Sequence, residues 1–319
     1  MKRFVGWETT EINKRNLLIV GCGYVGKELV CQAQRDHKIW ALTRRVAAGE
    51  HKDSRSAELQ SLGVHPIQVD WVQEASFELP SFDRVLVAVP HRAVEPHAQQ
   101  THVVGLQNLF TCLKGKPRII YLSTTGVYGD CPEEMVDEQT PVAPTRIGPE
   151  IAVEAEKWLR SQQSKHIKGS DSPNKVSIET QVHAITVRLA GIYGPGRIPL
   201  AAKLRTGEPL AVPQHGFLNL VHVSDIARMI LQVFDHFESL QRSCYVFSDG
   251  SPIERLKFYS HLAKLCGVEH PQFVEPDPDN SRARRATSKK VSPARLVSEL
   301  GFEYHFPSYE SGLAQALGE

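Results

Sequence analysis

Short apolar runs recur along the first 190 residues, and longer segments of mixed character separate them. The runs are rich in branched side chains and show no polar alternation, which is typical of strands buried on both faces of a parallel sheet. They predict six strands, at 17–20, 39–43, 66–71, 85–90, 118–122 and 184–189. Apolar residues at helical spacing predict helices over about 95–113, from Pro149 onward, and over about 225–237. This alternation predicts an α/β fold with a doubly wound parallel sheet, followed by a smaller lobe.

The first predicted strand runs directly into a glycine pattern with the spacing G-x-G-x-x-G. Gly21 permits the sharp turn from strand to helix, Gly23 lets a pyrophosphate approach the backbone, and Gly26 lets the helix pack close to the strand. The amides of the first helical turn, at Tyr24 and Val25, then face the phosphates. A structural turn without a ligand is the alternative. The strand before the turn, the helix after it and the second strand beyond favour a dinucleotide site.

The second predicted strand ends in Thr43-Arg44-Arg45. An NAD enzyme places an acidic residue there to bind the ribose 2′-hydroxyl, and this chain has none. Two guanidinium groups instead favour a 2′-phosphate, which arginine binds with paired, charge-assisted hydrogen bonds. We therefore expect NADP(H) to be preferred over NAD(H). The alternative is that the two arginines are only solvated loop charges.

The third and fourth predicted strands end at the same edge of the sheet. Asp70 is predicted either to accept a hydrogen bond from the adenine amino group or to serve as a turn residue at the strand end. Trp71 follows it on the cofactor side. Val89 and Pro90 close the fourth strand, where the chain is expected to pass the cofactor.

The composition limits the kinds of partner that the chain is expected to bind. The formal net charge of +1 gives no electrostatic basis for binding nucleic acid or an anionic membrane surface. No apolar run approaches the ~18–20 residues that span a bilayer, and the N-terminal residues do not resemble a signal peptide. The six cysteines are scattered without a C-x-x-C pair, which argues against a zinc site and fits the reducing cytoplasm. An organelle lumen of similar redox state is the alternative.

Four motifs together carry a family resemblance. They are G-C-G-Y-V-G at 21–26, S-T-T-G-V-Y-G at 123–129, R-L-A-G-I-Y-G-P-G-R at 188–197 and L-V-H-V-S-D at 220–225. The chain resembles the extended short-chain dehydrogenase/reductase superfamily, in its NAD-dependent epimerase/dehydratase group. The resemblance implies a Rossmann domain over 16–194, to which 218–238 returns, and a small substrate-binding lobe over 195–319. It also implies a homodimer through the helices near 98–114 and 149–160.

The resemblance assigns Thr124 as the catalytic hydroxyl that donates to the substrate oxygen. Members of the group also carry Tyr-x-x-x-Lys, in which the lysine lowers the pKa of the tyrosine that moves the proton. Here Ile147 and Ile151 stand at those two places, so the chain resembles an atypical member. Tyr128 and His91 are the candidates to move the proton instead. The competing interpretations are a packing residue for Tyr128 and an ordinary loop histidine for His91.

The resemblance implies a substrate-contacting set made of Thr125, Gly126, Tyr193, Arg197 and His222. Among them, Arg197 is suited to a phosphate or carboxylate, and His222 has the alternative role of a bridge between the two lobes. Two functions remain open. The first is an NADP(H)-dependent oxidoreductase or epimerase/dehydratase-like enzyme acting on a hydroxyl or carbonyl of a small molecule, such as a sugar nucleotide. The second is a sensor or structural protein that binds NADP(H) without turnover.

Overall fold

A computed structural model of the protein describes residues 14–44, 54–131, 135–164, 183–269, 271–275 and 288–318. Arg45 lies outside these residues. The strands, in chain order, are β1 (Arg15–Val20), β2 (His37–Thr43), β3 (His65–Gln68), β4 (Arg84–Val87), β5 (Arg118–Thr124), β6 (Met135–Val136), β7 (His183–Leu189), β8 (Gly191–Tyr193), β9 (Leu210–Ala211), β10 (Phe217–Leu218), β11 (Leu220–His222), β12 (Cys244–Phe247), β13 (Ile253–Glu254), β14 (Phe273–Val274) and β15 (Lys290–Val291).

The described helices range from 5 residues in α5 to 18 residues in α4. They are α1 (Tyr24–Ala33), α2 (Ser54–Ser61), α3 (Thr101–Cys112), α4 (Ile147–Ser164), α5 (Ala201–Arg205), α6 (Val223–Asp235), α7 (Arg255–Leu265), α8 (Ala294–Leu300) and α9 (Tyr309–Leu317), with a 3₁₀ turn at Thr125–Tyr128. Among the described helices, none combines the length and the apolar character that crossing a membrane requires.

A seven-stranded parallel sheet organises the molecule, in the order β12-β7-β5-β4-β1-β2-β3. The strand order reverses between β1 and β4, because the chain winds outward through β2 and β3 and then returns to the other side. Ligands of such sheets bind at the carboxyl ends of the strands, at this reversal point. The predicted doubly wound α/β fold is confirmed.

Alternate residues of β1 show why the apolar runs lack polar positions. Leu17 and Ile19 pack in the core layer that contains α1 and α6, whereas Leu18 and Val20 pack in the layer that contains α3 and α4. All four side chains are buried. Each strand of the sheet interior therefore faces helices on both sides, as the uninterrupted apolar runs predict.

The six predicted strands are all present, but two end earlier than predicted. β3 ends at Gln68 and β4 at Val87, whereas the sequence predicts strands to 71 and 90. One strand of the seven-stranded sheet, β12, escapes prediction. Its four residues pair in parallel with β7 at the sheet edge. A run this short, in a region without a clear helical period, leaves little signal in the sequence.

The lobe has its own core, formed mainly by α5, α7 and α9, in which Phe258, Leu262 and Leu313 are fully buried. The expected division at residue 195, with only 218–238 returning, is incomplete. β12 belongs to the large sheet, and Leu296, Leu300 and Phe302 pack in the core layer of α1 and α6. The chain therefore crosses to the first domain again in its last third.

Candidate functional site

A cleft of about 920 Å³ opens at the carboxyl ends of β1, β4, β5 and β7. Its lining combines apolar side chains with four arginines, which are Arg44, Arg55, Arg92 and Arg197. The residues with a predicted cofactor role that line it are Gly21, Gly23, Tyr24, Val25, Thr43, Arg44, Trp71, Val89 and Pro90. From the other predicted sets, Thr124, His91 and Arg197 also line it. The sheet topology therefore brings most of the predicted site into one place.

The glycine turn has the geometry that its spacing predicts. Gly21 has a φ of +88°, and a Cβ there would lie 2.8 Å from the backbone nitrogen of Val89, in the segment directly after β4. A Cβ on Gly26 would lie 3.2 Å from the Ile19 side chain, so glycine permits the close packing of α1 on β1. Gly23 has no atom closer than 4.0 Å to such a Cβ, which leaves its backbone open to a ligand.

Helix α1 begins directly after this turn and presents its amino end to the cleft. Its N-cap residue is Gly23, which supplies no side-chain cap. The first-turn amides therefore have no competing side-chain oxygen at the cap, and the helix dipole favours negative charge in front of them. A turn of this kind, with open backbone and an uncapped helix end, fits a pyrophosphate.

Two arginines stand beside the glycine turn. Arg44, at the end of β2, is exposed and lines the cleft. Arg55, on α2, lines the cleft too, donates through Nη2 to the Cys22 carbonyl, and pairs through Nη1 with Glu58 at 2.6 Å. Glu58 also pairs with Lys27 of α1. Nothing in the sequence singles out Arg55, because it lies in a polar segment without glycine or strand signals. It lines the cleft only because α2 packs beside the glycine turn in the fold.

Asp70 does not line the cleft. Its Oδ1 accepts hydrogen bonds from the backbone nitrogens of Val72 at 3.0 Å and Gln73 at 3.3 Å, which forms an Asx turn. The same turn ends the third strand before residue 69. Of the two roles that the sequence left open, the structure therefore favours the turn residue over the adenine contact. Trp71, the next residue, does line the cleft.

Thr124 occupies the end of β5 with an oriented hydroxyl. Its Oγ1 accepts from the Gly126 backbone nitrogen at 3.0 Å. Because the amide donates, the hydroxyl hydrogen of Thr124 remains available for an oxygen in the cleft. Arg146 approaches the same turn, since its Nη2 lies 3.4 Å from the place a Gly126 Cβ would take.

The positions of the missing Tyr-x-x-x-Lys pair lie at the start of α4. Ile147 is 45% exposed, whereas Ile151 is fully buried. A Cβ on the intervening Gly148 would lie 2.9 Å from the carbonyl oxygen of His91, so the loop after β4 packs against this helical turn. Neither isoleucine can carry a proton, and the backbone of His91 packs against Gly148, which lies between them.

His91 is half-buried and belongs to a network of rings in which Tyr121 and His102 are fully buried. Its Nε2 lies 3.0 Å from the Tyr121 hydroxyl, and Nδ1 of His102 lies 2.9 Å from the same oxygen. The two imidazoles are stacked with centroids 4.7 Å apart. Burial lowers the pKa of His91 to about 3, with a further contribution from His102, and burial lowers the pKa of His102 to about 4. Both rings are therefore neutral at neutral pH.

Tyr128, the other predicted proton carrier, lies outside the cleft. The side chain is fully buried, and its hydroxyl donates to the Asp137 carbonyl at 2.5 Å and accepts from Arg188 Nη1 at 2.9 Å. Burial raises the pKa of Tyr128 above its ordinary value. Arg188 is held in turn by Glu156, in a buried ion pair of 2.6 Å. The geometry matches the alternative interpretation, a packing residue, and gives no support to a catalytic role.

Two residues of the predicted substrate set are buried away from the cleft. Tyr193 is fully buried and lies 3.4 Å from the Ser308 carbonyl, to which its hydroxyl donates. His222 is 1% exposed, and its Nε2 lies 3.1 Å from Gln315 Oε1. Both contacts join β8 and β11 to the segment that carries α9. Their positions match structural bridging better than substrate contact.

The remaining substrate candidates flank the cleft or close it. Thr125 is largely buried, and Gly126 serves to orient Thr124. Arg197 lines the cleft with its guanidinium carbon 5.3 Å above the Tyr24 ring, while the Tyr24 hydroxyl donates to the Pro195 carbonyl at 3.0 Å. Burial raises the pKa of Tyr24 to about 12, so this hydroxyl stays neutral. The loop after β8 thus covers the glycine turn.

Comparison with known proteins agrees with this architecture. The model of the NAD dependent epimerase/dehydratase family matches residues 17–246, which is more than half of the chain. Protein YeeZ of Escherichia coli (strain K12) is 28% identical over 229 residues, covering 70% of this chain and 72% of its own. The region matched by the family model begins within β1, includes the glycine turn and Thr124, and ends within β12.

Solved structures are similar across nearly the whole chain. A functionally unknown conserved protein from Silicibacter pomeroyi DSS has a TM-score of 0.70 at 24% identity, covering 95% of this chain and 98% of its own. UDP-glucuronic acid 4-epimerase from Bacillus cereus, in complex with UDP-glucuronic acid and NAD, has a TM-score of 0.70 at 14% identity, covering 94% and 97%. At these identities the likeness shows the fold.

Proposed function

The chain belongs to the NAD-dependent epimerase/dehydratase family, and on that premise we propose that it binds NADP(H) in the cleft and catalyses oxidation and reduction at a hydroxyl or carbonyl group of a small molecule. The family binds NAD(H) nucleotide cofactors. The observation that carries the proposal is the glycine turn, in which Gly21 meets the backbone of Ala88 and Val89 so closely that no side chain fits, and α1 begins at the cleft without a side-chain cap. A backbone cradle of this kind suits a pyrophosphate.

The preference for the phosphorylated cofactor rests on charge at the end of β2. Arg44 and Arg55 both line the cleft with residues of the glycine turn, and Thr43, the residue before Arg44, is neutral. A ribose 2′-phosphate at this place gains charge-assisted hydrogen bonds from the guanidinium groups. Glu58 is already neutralised by Arg55 and Lys27, so it does not oppose a phosphate.

The bound nicotinamide supplies the hydride chemistry. Thr124 binds the reacting oxygen of the substrate, because its hydroxyl hydrogen is left free by the Gly126 amide. The loop that carries Arg197 closes over the glycine turn and reduces the access of water. Arg197 also offers a cation to an anionic part of the substrate. Solved neighbours that are named as acting on UDP-sugars suggest a sugar nucleotide, and we include that class among the substrates to test.

A second function has a specific observation in its favour. Ile147 and Ile151 replace the proton-transferring pair, and Ile151 is fully buried. Loss of general acid–base catalysis lowers a rate by roughly 10²–10⁴. A protein that keeps the cofactor cradle but not these groups is suited to bind NADP(H) as a sensor or structural ligand without turnover.

One experiment tests both functions. Calorimetry with NADPH and NADH measures binding, and the absorbance of NADPH is then followed with a panel of carbonyl compounds and sugar nucleotides. The enzyme predicts turnover that Thr124→Ala removes and Thr124→Ser largely keeps, because serine retains the hydroxyl. Tight binding without turnover on any substrate would favour the sensor. The absence of binding heat with either cofactor would overturn both.

Two further assignments stay proposals. All six cysteines are unpaired, which supports a reducing compartment such as the cytoplasm.

Helices α3 and α4 pack side by side on the same face of the sheet, with the rings of Phe110 and Trp158 in edge contact and their centroids 5.1 Å apart. We propose this pair as the homodimer surface, and light scattering on the purified protein is the measurement that checks it.

A further inference from the structure

The hydrogen positions in the His91 network follow from its acceptors. Nε2 of His102 lies 3.3 Å from the Pro90 carbonyl oxygen, which can only accept, so Nε2 carries the hydrogen. The His102 side chain is fully buried, so it has no solvent to stabilise a second proton. Nδ1 of His102 is therefore a bare nitrogen that accepts a hydrogen bond.

Tyr121 transmits this orientation. Its hydroxyl lies 2.9 Å from the bare Nδ1 of His102 and must donate to it, which uses its only hydrogen. The contact of 3.0 Å between the same oxygen and His91 Nε2 then requires His91 to donate. His91 is consequently the Nε2–H tautomer, and its Nδ1 is bare. The reverse direction would need two hydrogens on His102, a buried cation stacked against a second imidazole.

The bare Nδ1 of His91 has no hydrogen-bond partner among the residues that the structure describes. His91 lines the cleft with Thr124, and its backbone packs against the turn of α4 that begins at Ile147. We propose that His91 Nδ1 is a fixed acceptor for a neutral N–H or O–H group at the reaction end of the cleft. Tyr121 and His102 are the positioning residues that keep it an acceptor.

The ligand group has two sources, and this part rests on the proposed function. The donor is either the carboxamide of the nicotinamide or a hydroxyl of the substrate. In both cases His91 orients a neutral group. It differs from the missing tyrosine and lysine, which transfer a proton, because a buried imidazole flanked by another imidazole does not store one. The structure thus changes the predicted role of His91 from moving a proton to holding a donor.

The tautomer is measured first, on the protein without ligands. Protein labelled with ¹⁵N-histidine is studied by long-range proton–nitrogen NMR at neutral pH. We expect His91 to show one protonated Nε2 and one bare Nδ1. Tyr121→Phe should convert His91 to a mixture of tautomers, whereas Tyr304→Phe, which removes a buried hydroxyl bonded to the Ser248 carbonyl, should leave it unchanged. A protonated Nδ1 on His91 in the unaltered protein would overturn the proposal.

The ligand is identified by adding probes under saturation that calorimetry has verified. Movement of the Nδ1 resonance with NADPH, but not with 2′-phospho-ADP-ribose, identifies the carboxamide. Movement only when UDP-glucose or dTDP-glucose is added with NADP⁺ identifies the substrate hydroxyl. No movement in any saturated sample contradicts the acceptor role. If calorimetry detects no cofactor, the proposed function fails, while the tautomer result stands separately.

Two substitutions separate the ring nitrogens. His91→Asn places an amide oxygen as far from the backbone as Nδ1, and His91→Gln places its amide where Nε2 lies. For the ligand that moves the resonance, we expect His91→Gln to weaken affinity about three- to tenfold and His91→Asn to stay within about twofold. The opposite order would show that Nε2 is the group that matters.

Discussion

The two ends of the cleft, at the glycine turn and at Thr124, differ in the kind of atoms that they offer to a ligand. At the glycine end, the contacts come from backbone atoms and from the absence of side chains, as at Gly21 and Gly23. At the reaction end they come from side chains, namely Thr124 and His91. The glycine end keeps every part of its pattern, whereas at the start of α4 Ile147 and Ile151 stand where the family resemblance predicts the proton-transferring pair. A backbone-built cradle can therefore be recognised from glycine spacing, while the chemistry depends on individual side chains.

The largest expected effect comes from adding one methyl group at the glycine end. Gly21→Ala places a Cβ 2.8 Å from the Val89 backbone nitrogen at a φ of +88°, so we expect cofactor affinity to fall more than 100-fold, together with a loss of about 4 kcal/mol in the free energy of unfolding. Gly63→Ala is the matched control, because Gly63 has a φ of +73° and open space around it. It should cost about 1 kcal/mol and leave binding intact. Equal losses in the two variants would show that conformation alone matters at Gly21.

A second prediction asks whether the reaction end can be restored. Ile151→Lys introduces a charge at a fully buried position, and we expect the free energy of unfolding to fall by about 3 kcal/mol. Ile147→Tyr, at a position 45% exposed, should change it by less than about 1 kcal/mol. Chemical denaturation measures both. A stable Ile147→Tyr/Ile151→Lys double variant with new turnover would instead show that the site is only two residues from the usual catalytic pair.

The third prediction concerns acid. His91 and His102 have folded-state pKa values of about 3 and about 4, below the ordinary value of 6.5. Between pH 4 and pH 6.5 the unfolded chain binds more protons than the folded chain, so the free energy of unfolding falls as the pH drops from about 6.5 towards 4. Each histidine contributes about 1 kcal/mol per pH unit in that window. Denaturation at several pH values should show a shallower dependence in His91→Gln. Identical slopes would mean that His91 is not buried as a neutral ring.

The smallest effect is on cofactor choice. Arg44→Ala and Arg55→Ala should each weaken NADPH about tenfold and leave NADH within about twofold, since the guanidinium groups act on the 2′-phosphate. Arg35→Ala, in the exposed turn before β2, is the control that keeps the same charge change away from the cleft. Calorimetry measures the ratio of the two affinities. An unchanged ratio in both cleft variants would remove the basis for NADP(H) preference.

Particular residues show how far sequence reasoning reaches in this site. The glycines could be assigned because their requirement is local, a matter of φ and of a strand directly before a helix. The role of Tyr128 could not be assigned from the sequence, because only the packing shows that its hydroxyl is hydrogen-bonded to the Asp137 carbonyl and to Arg188. Arg55 and the His91–Tyr121–His102 network carry no local signal, since each depends on segments that are distant in sequence and adjacent only in the fold.

The sequence by itself indicated six strands of the large sheet alternating with helices, the glycine turn, and the two isoleucines at the places predicted for the proton-transferring pair. Each of these is written in neighbouring residues through apolar period, glycine spacing or residue identity. Only the tertiary structure decided that β12 completes the sheet, that Asp70 closes a turn and that His91 Nδ1 is left without a hydrogen. Those outcomes depend on burial and on hydrogen-bond partners supplied from elsewhere in the chain, which the pattern of a single segment does not contain.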